Sequence, residues 1–290
     1  MRPRARRDIP RLAFRSVPEP TSTRELADGK LIIDEPGAGV VRLTISNPAK
    51  RNALDHPILD AITAQLSQLS EANAARCVII TGAHGMFSAG YDIGEIPADE
   101  FEQRAEALVA HPFTEAIEAL EAFPLPTLAA LPGHTIGGGL ELALACDLRI
   151  ARSAIKLGMP PAKLGLVYSH TGLRRFIDAV GAARTRELFL TGEYVDAELA
   201  LSWGLVNRVV PEDQLEPATL ALAATLAANA PLSQRGNKRV IAELLHYEAQ
   251  LPAHVEQELI ELRRASFASQ DMREGMRAFA ERRPPVWRGE

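Results

Sequence analysis

The chain has 290 residues, of which 47% are hydrophobic and 24% charged, with 20 Gly and 20 Pro. That is ordinary globular usage, enough to bury a full core in one large domain or two ordinary ones, and it excludes collagen-like, coiled-coil and disordered classes. A net charge of −5 argues against nucleic acid as a bulk partner, no apolar run approaches the roughly 18 residues of a membrane span, and the two cysteines, Cys77 and Cys146, lie in apolar surroundings that suit neither a disulfide framework nor a Cys-based metal site. A reducing compartment, the cytoplasm, is the expectation.

Residues 1–16 carry six Arg (2, 4, 6, 7, 11 and 15) against Asp8, a local +5 that leaves −10 on the remainder. Such a start has the composition of an organelle transit peptide. Pro3, Pro10 and Pro18, and the lack of a clear amphipathic helix, favour a flexible tail instead, and residues 1–28 are expected to form an N-terminal extension. The first strand is expected at 40–46, where VVRLTIS alternates apolar and polar, followed by a helix over 56–71. CVIIT at 77–81 reads as a buried strand closed by Gly82; a helix over 101–122, a strand at 127–131, a helix over 138–145 and a strand at 148–151 follow. Beyond these the chain is nearly all helix, at 172–180, 184–190, 197–203, 211–228, 232–245, 253–269 and a short one from 271, interrupted by a strand at 206–210. Early strands alternating with helices and a helical end predict an α/β core over 29–225 followed by a helical region over 226–290, with no internal repeat. The last helices cannot build a core of their own, so they are expected to pack on the core or on a neighbouring subunit.

Common cofactor chemistry finds no support. No Gly-Lys-Ser/Thr follows the glycines, Gly37-Ala38-Gly39 precedes its strand instead of following it, and there is no H-E-x-x-H, zinc spacing or G-x-S-x-G. Two glycine-containing junctions remain. One runs from Thr81 through Phe87-Ser88-Ala89-Gly90-Tyr91 to Glu95; the other runs from Pro132 through Gly137-Gly138-Gly139-Leu140-Glu141 to Asp147. In the second, a strand feeds three glycines and then a Leu/Ala-rich helix, whose N-terminus presents unpaired N–H groups and partial positive charge. Glycines let a ligand approach that backbone, and two N–H groups converging on one oxygen make an oxyanion hole. Glu141, three residues after Gly138, lies on the same helix face. Spacing alone leaves a plainer reading open, in which the glycines permit tight helix–strand packing and Glu141 is a capping acid.

The two junctions resemble the enoyl-CoA hydratase/isomerase (crotonase) family, and the likeness runs over roughly residues 30–290. It is carried by NPAKRNAL at 47–54, FSAGYDIGE at 87–95, GGGLELALACDLRIA at 137–151, FLTGEYVDAELALSWGLVNRVV at 189–210 and EGMRAFAERRP at 274–284, in the family's order. The resemblance implies a ββα superhelix with two roughly perpendicular sheets and a C-terminal helical trimerisation region. It implies an acyl-CoA thioester substrate, with coenzyme A part of that substrate and no further cofactor, and an assembly as a homotrimer or dimer of trimers. By position, the N–H groups of Tyr91 and Gly138 would hold a thioester enolate. Lys50, Arg51, Ala53, Ala89, Asp92 and Ile93 match positions lining the substrate and CoA, and Phe279, Arg282 and Arg283 match a C-terminal helix that closes over CoA.

One departure bears on the chemistry. Hydratases of the family use a second glutamate about twenty residues after the first; Glu141 matches the first, but the second position holds Pro161. The segment is most similar to a different branch, the methylmalonyl-CoA decarboxylases, whose Pro–Leu-Gly–Tyr arrangement is reproduced by Pro161, Leu164-Gly165 and Tyr168, although that branch has His where this chain has Tyr91. By that resemblance Tyr168 lies beside the reacting group; otherwise it is a packed aromatic with a satisfied hydroxyl. The expectation is therefore an acyl-CoA lyase acting through an oxyanion-stabilised enolate, with decarboxylation through Tyr168 as the specific alternative. A non-catalytic acyl-CoA- or RNA-binding member and a hydrolase of the same fold are the remaining readings; the acidic body disfavours RNA, and no Ser–His pairing is evident. His170 is a proton donor or a plain loop residue, His134 lies in the lead-in to the glycines, and Glu95 caps or lines the pocket.

Overall fold

The structure, a computed structural model, describes residues 23–92, 107, 109–248 and 252–288. A seven-stranded sheet in the order β1-β2-β3-β4-β5-β7-β10 forms its centre: β1 (Thr23–Leu26), β2 (Leu31–Gly37), β3 (Val40–Ile45), β4 (Cys77–Gly82), β5 (Thr127–Leu131), β7 (Leu148–Arg152) and β10 (Arg208–Val210). The first three strands pair antiparallel and the rest parallel. A smaller sheet, β6-β8-β9, joins Thr135–Ile136, Lys156–Gly158 and Tyr194–Asp196.

The parallel strands are covered on both faces, which is why β4 and β5 read as unbroken apolar runs. On one side Ile58, Ile62 and Leu66 of α1 (His56–Glu71), Ile117 and Leu120 of α2 (Thr114–Ala122), Leu140 of α3 (Gly138–Ala145) and Phe176 of α4 (His170–Thr191) share a core with Leu43, Val78, Ile80 and Ala129. On the other side Leu215, Leu222 and Ala223 of α6 (Leu215–Ala228) close over Val40, Cys77, Ile79, Leu128 and Ile150. Both cysteines are free and buried, and burial pushes each thiol up to about 12. No helix among the described residues is long and apolar enough to cross a membrane.

Four features differ from the sequence expectation. The sheet begins at Thr23, so the last six residues of the expected 1–28 extension form β1 and its turn. The expected 101–122 helix lies partly outside the described residues; before α2 the chain makes one π-helical turn, Val109–Phe113, because Pro112 has no N–H to continue an α-helical ladder. The helices expected at 172–180 and 184–190 form one element, α4, broken at Gly181. Finally, β6, β8 and β9 have two or three residues each, too short to register as a period-2 pattern.

The C-terminal helices α5 (Ala197–Trp203), α7 (Pro231–Glu248), α8 (Ala253–Ala268) and α9 (Gln270–Glu281) complete the chain. The expected division at 225/226 falls inside α6, which belongs to the sheet's covering layer. α8 and α9 fold back onto their own core: the Val167 N–H donates to Ser266 Oγ at 2.9 Å, and Phe267 and Met272 pack on Tyr91, Leu164 and Leu166. Glu274 of α9 gathers Arg277, Arg283 and the Val286 N–H, contacts that hold its carboxyl well below the usual range and fix the chain after the helix.

Helix α3 has few residues, and its C-terminal end is held from outside. The buried Arg149 donates through Nη1 to Cys146 O at 2.6 Å, with longer contacts to Leu144 O and Ala143 O, and through Nε to Leu205 O at 2.9 Å. A fixed cation there satisfies orphan carbonyls and complements the negative end of the helix. Arg149→Met is expected to destabilise the protein by about 3 kcal/mol, since several buried acceptors lose their donor at once. Urea denaturation checks this; a loss below about 1 kcal/mol would mean that water replaces the guanidinium.

Candidate active site

The segment 47–54 holds the first junction in place. Asn52 and Asn47 are buried; Asn52 Nδ2 donates to Ala83 O at 2.9 Å and to Met86 O at 2.8 Å, while its Oδ1 accepts from the Asn47 N–H at 2.8 Å. Asn47 Nδ2 donates to Ala53 O at 3.1 Å. The main chain then pairs outward: Ala89 N to Arg51 O, Leu54 N to Gly90 O and Asp92 N to Leu54 O. This places 88–92 beside the second junction, where Ile136 N donates to Ser88 O at 3.0 Å and Gly90 N to Ser88 Oγ at 3.1 Å.

Here the glycines are required sterically. Gly90 (φ 97°) and Gly137 (φ 57°) adopt conformations that L side chains rarely take. A β-carbon at Gly90 would lie 3.1 Å from Gly138 N; one at Gly138 would lie 2.5 Å from Tyr91 Cε1; one at Gly139 would lie 2.6 Å from Ser88 Cβ. The main chain at Tyr91 therefore meets the N-terminus of α3. Among the described residues, neither Tyr91 N nor Gly138 N donates a turn, loop or cap hydrogen bond. The arrangement supplies two adjacent N–H groups, one of them at a helix N-terminus, suited to an oxygen that gains negative charge.

Glu141, in the first turn of α3, is 2% exposed, and both its oxygens are engaged. Tyr168 OH donates to Oε2, and Arg175 Nη1 donates to Oε1 at 3.1 Å. Arg175 reaches on to Glu121, Nε to Oε1 at 2.6 Å and Nη2 to Oε2 at 2.9 Å. The Tyr91 hydroxyl lies 3.1 Å from that of Tyr168. Tyr91 also meets Phe113 edge-on at 4.7 Å, and Tyr168 meets Phe189 at 5.4 Å, so both rings are fixed by packing. Gly172 backs the cluster, since a β-carbon there would lie 2.6 Å from Tyr168 Cε1 and 2.9 Å from Glu141 Oε1. Ser169 caps the helix that brings Gly172 in, accepting from Gly172 N at 3.1 Å.

Burial pushes the Glu141 carboxyl above its ordinary value, against the pull of Arg175 and of the Tyr168 hydrogen bond. Burial and the Glu141 charge push both phenols well above theirs, so each stays protonated at neutral pH and acts as a donor and an acceptor. Burial works against the Arg175 charge, but Glu121 and Glu141 more than offset it and hold the guanidinium protonated.

Of the residues expected from sequence, Tyr91, Gly138, Glu141 and Tyr168 come together, and Pro161 opens the short 3-10 turn Pro161–Leu164 without a proton to give. Lys50 pairs with Asp92 at 2.8 Å on the flank of this region, Ala53 is buried beneath it, and Ala89 is half-buried. Arg51, exposed with φ 52°, contributes its carbonyl to the staple. Ile93 and Glu95 lie outside the described residues. Phe279, 68% exposed, and Arg282, which ends α9, lie on the chain's outer surface, while Arg283 is held by Glu274. His170 opens α4 with Nε2 3.5 Å from Glu256, and His134 Nδ1 accepts from Lys156 N at 2.9 Å. Sequence reasoning missed Arg175, Glu121, Gly172 and the two asparagines. For Asn47 and Asn52 the signal was the pair within NPAKRNAL; Arg175 and Glu121 carry none, because 54 residues separate them.

The enoyl-CoA hydratase/isomerase family model matches residues 35–290. A probable enoyl-CoA hydratase of Bacillus subtilis is 36% identical over 257 residues, covering 87% of this chain and 96% of that protein. Among solved structures, a methylmalonyl-CoA decarboxylase complexed with 2S-carboxypropyl-CoA superposes with a TM-score of 0.82 at 28% identity, covering 90% of this chain and 98% of the other. An enoyl-CoA hydratase from Bacillus anthracis superposes at 0.71 with 30% identity, covering 90% and 100%.

Glu141 faces Tyr168 and Arg175, with Glu121 behind the arginine. Arg175→Met removes the cation that lowers Glu141, so the carboxyl is expected to titrate at higher pH than in the wild type. In 13C-glutamate-labelled protein, with Glu141→Gln as the assignment control, its resonance should shift at higher pH in Arg175→Met and by less in Arg175→Lys. An unmoved titration in both variants would show that the pair is not coupled.

Proposed function

The chain belongs to the enoyl-CoA hydratase/isomerase family, and from that premise we propose that it is a lyase acting on an acyl-CoA thioester through an enolate. The thioester oxygen accepts from the N–H groups of Tyr91 and Gly138, which stabilise it most when it carries negative charge; one such donor is typically worth about 10²–10³ in rate. The enolate needs no group beyond the coenzyme A that the substrate carries. Lys50, Arg51, Ala53, Ala89, Asp92 and Ile93 flank the acyl and CoA moieties in this reading, with Phe279 and Arg282 toward CoA. Two buried thiols without a disulfide fit a reducing compartment, the cytoplasm in our reading.

Within this class we favour loss of CO2 from a malonyl-type thioester. The observation that carries this is the state of the acids: Pro161 stands where a second carboxylate would serve, and both oxygens of Glu141 are taken up by Tyr168 and Arg175. Water addition needs a base for the water and an acid for C2. Decarboxylation forms the enolate directly and needs only the oxyanion donors and one proton. The closer superposition on the methylmalonyl-CoA decarboxylase agrees with it. Hydration is the second reading, favoured by the name of the B. subtilis relative. Incubation with enoyl-, 3-hydroxyacyl-, malonyl- and methylmalonyl-CoA, read by mass spectrometry, separates the two as loss of CO2 against gain of water. Tyr168→Phe is expected to slow decarboxylation by about 10²-fold, whereas Glu141→Gln would abolish hydration. If no substrate is turned over, the lyase reading fails.

A homotrimer or dimer of trimers is part of the proposal. Helix α7 exposes Leu232, Val240, Ile241, Leu244 and Leu245, the last four on one stripe at helical spacing. Light scattering is expected to give three or six times the 31.5 kDa chain mass, with Leu244→Asp shifting it downward. A monomer at all concentrations would contradict this.

A further inference from the structure

We propose that the Tyr91 phenol, and not its N–H alone, is a catalytic group: it carries the proton between substrate C2 and the buried Glu141, by way of the Tyr168 hydroxyl. The inference rests on the enolate reading above and deepens it.

The groups are arranged in series. Tyr91 is half-buried, Tyr168 is 7% exposed and Glu141 is 2% exposed. Tyr91 is also the member whose ring lies against Gly138, beside the N–H pair that would hold the thioester oxygen. From there the hydroxyls lead inward, Tyr91 to Tyr168 at 3.1 Å and Tyr168 to Glu141 Oε2. Each phenol has one proton and free lone pairs, so it takes a proton on one side as it gives one on the other. Arg175 has no acceptor, and the chain of exchangeable protons stops at Glu141. Phe113 packs on the Tyr91 ring, and Phe267 and Met272 form a separate apolar cluster that Tyr91 also packs against, which limits water as a competing proton source.

The step balances. When CO2 has left, C2 of the enolate forms its C–H bond with the Tyr91 hydroxyl proton as that O–H bond breaks. Tyr91 takes the Tyr168 proton, and Tyr168 takes one from the Glu141 carboxyl, whose protonated form donates from Oε2 to Tyr168 in the reverse of the hydrogen bond seen in the structure. The resulting carboxylate faces Arg175 and regains its proton after product has left, when the half-buried Tyr91 hydroxyl takes one from solvent and the same two hydroxyls pass one inward, the one proton consumed per CO2 released. Placing two neutral phenols between carboxylate and substrate also keeps Glu141 away from the substrate's own carboxylate, which a direct contact would repel.

The same chain run backwards removes a C2 proton from a saturated thioester, and that provides the test. Propionyl-CoA in D2O should gain C2 deuterium with the wild type. Tyr91→Phe keeps the oxyanion N–H, so propionyl-CoA affinity by calorimetry should stay within about threefold, while exchange falls by about 10²-fold or more. Tyr168→Phe should lose as much, and the double variant should be no slower than either single one, because one severed chain cannot be severed twice. Exchange within about threefold of wild type in either single variant, or effects that multiply in the double variant, would overturn the relay. A wild type that turns over the substrate panel but exchanges nothing overturns the relay alone. One that does neither removes the enolate reading, and the relay with it.

Discussion

A methyl group on Gly138 would collide with the Tyr91 ring and one on Gly139 with Ser88, so the junction between the 88–91 segment and helix α3 exists only because those two positions carry no side chain. The Gly90 main chain in turn lies against Gly138 N, and the rest of the site is built around this junction. It brings two N–H groups from segments some fifty residues apart in the sequence to one place, each anchored separately: Tyr91 through the buried asparagines of the 47–54 loop, Gly138 through the helix it begins. The far end of that short helix is fixed in turn by Arg149, buried among its last carbonyls. Two N–H groups held in this way would spend little free energy on reorientation if negative charge developed on an oxygen beside them.

The glycines set where the two N–H groups meet; a different balance sets the charge environment of Glu141. A carboxylate as buried as Glu141 is costly unless it is hydrogen-bonded and paired. The protein meets that cost with one phenol and one guanidinium, and then pairs the guanidinium again with Glu121 nearer solvent. Burial and Arg175 act on Glu141 in opposite directions, and burial prevails, holding the carboxyl above its ordinary value. Opposed effects of this kind occur at functional sites and in structural ion-pair networks alike. They also explain why Gly172 is needed on α4: phenol, carboxylate and helix backbone crowd one small volume.

The C-terminal helices link these local arrangements to the whole chain. Folding back through Ser266, Phe267 and Met272, they cover Tyr91 with apolar surface. The Glu274 cluster then ties down the segment after α9. One side of the helical region therefore closes the site of its own chain, while α7 leaves its apolar stripe outward.

Much of this was legible in the residues. The helices at His56–Glu71, Gly138–Ala145 and Ala197–Trp203 and the strand Thr127–Leu131 fall where periodicity and the glycine signals put them, because each is long or apolar enough for local pattern to outweigh context. The glycine junctions, Glu141, and the Pro161 departure with its pointer to Tyr168 were likewise in the sequence, since sterics and proton chemistry belong to residue types. What only the tertiary structure decided is pairing at a distance. Thr23–Leu26 becomes a strand by pairing with its neighbour, not through any pattern of its own, and the two- and three-residue strands exist only as partners of one another. Arg175 has no local signature, yet it fixes the charge environment of Glu141 from 34 residues away. Tyr91 could be read from the sequence as a backbone donor; its hydroxyl's contact with Tyr168, 77 residues on, could not. Hydrogen bonds and charge interactions act over ångströms of space, and a sequence records spacing along the chain, so it pointed to residue types and junctions and left the fold to connect them.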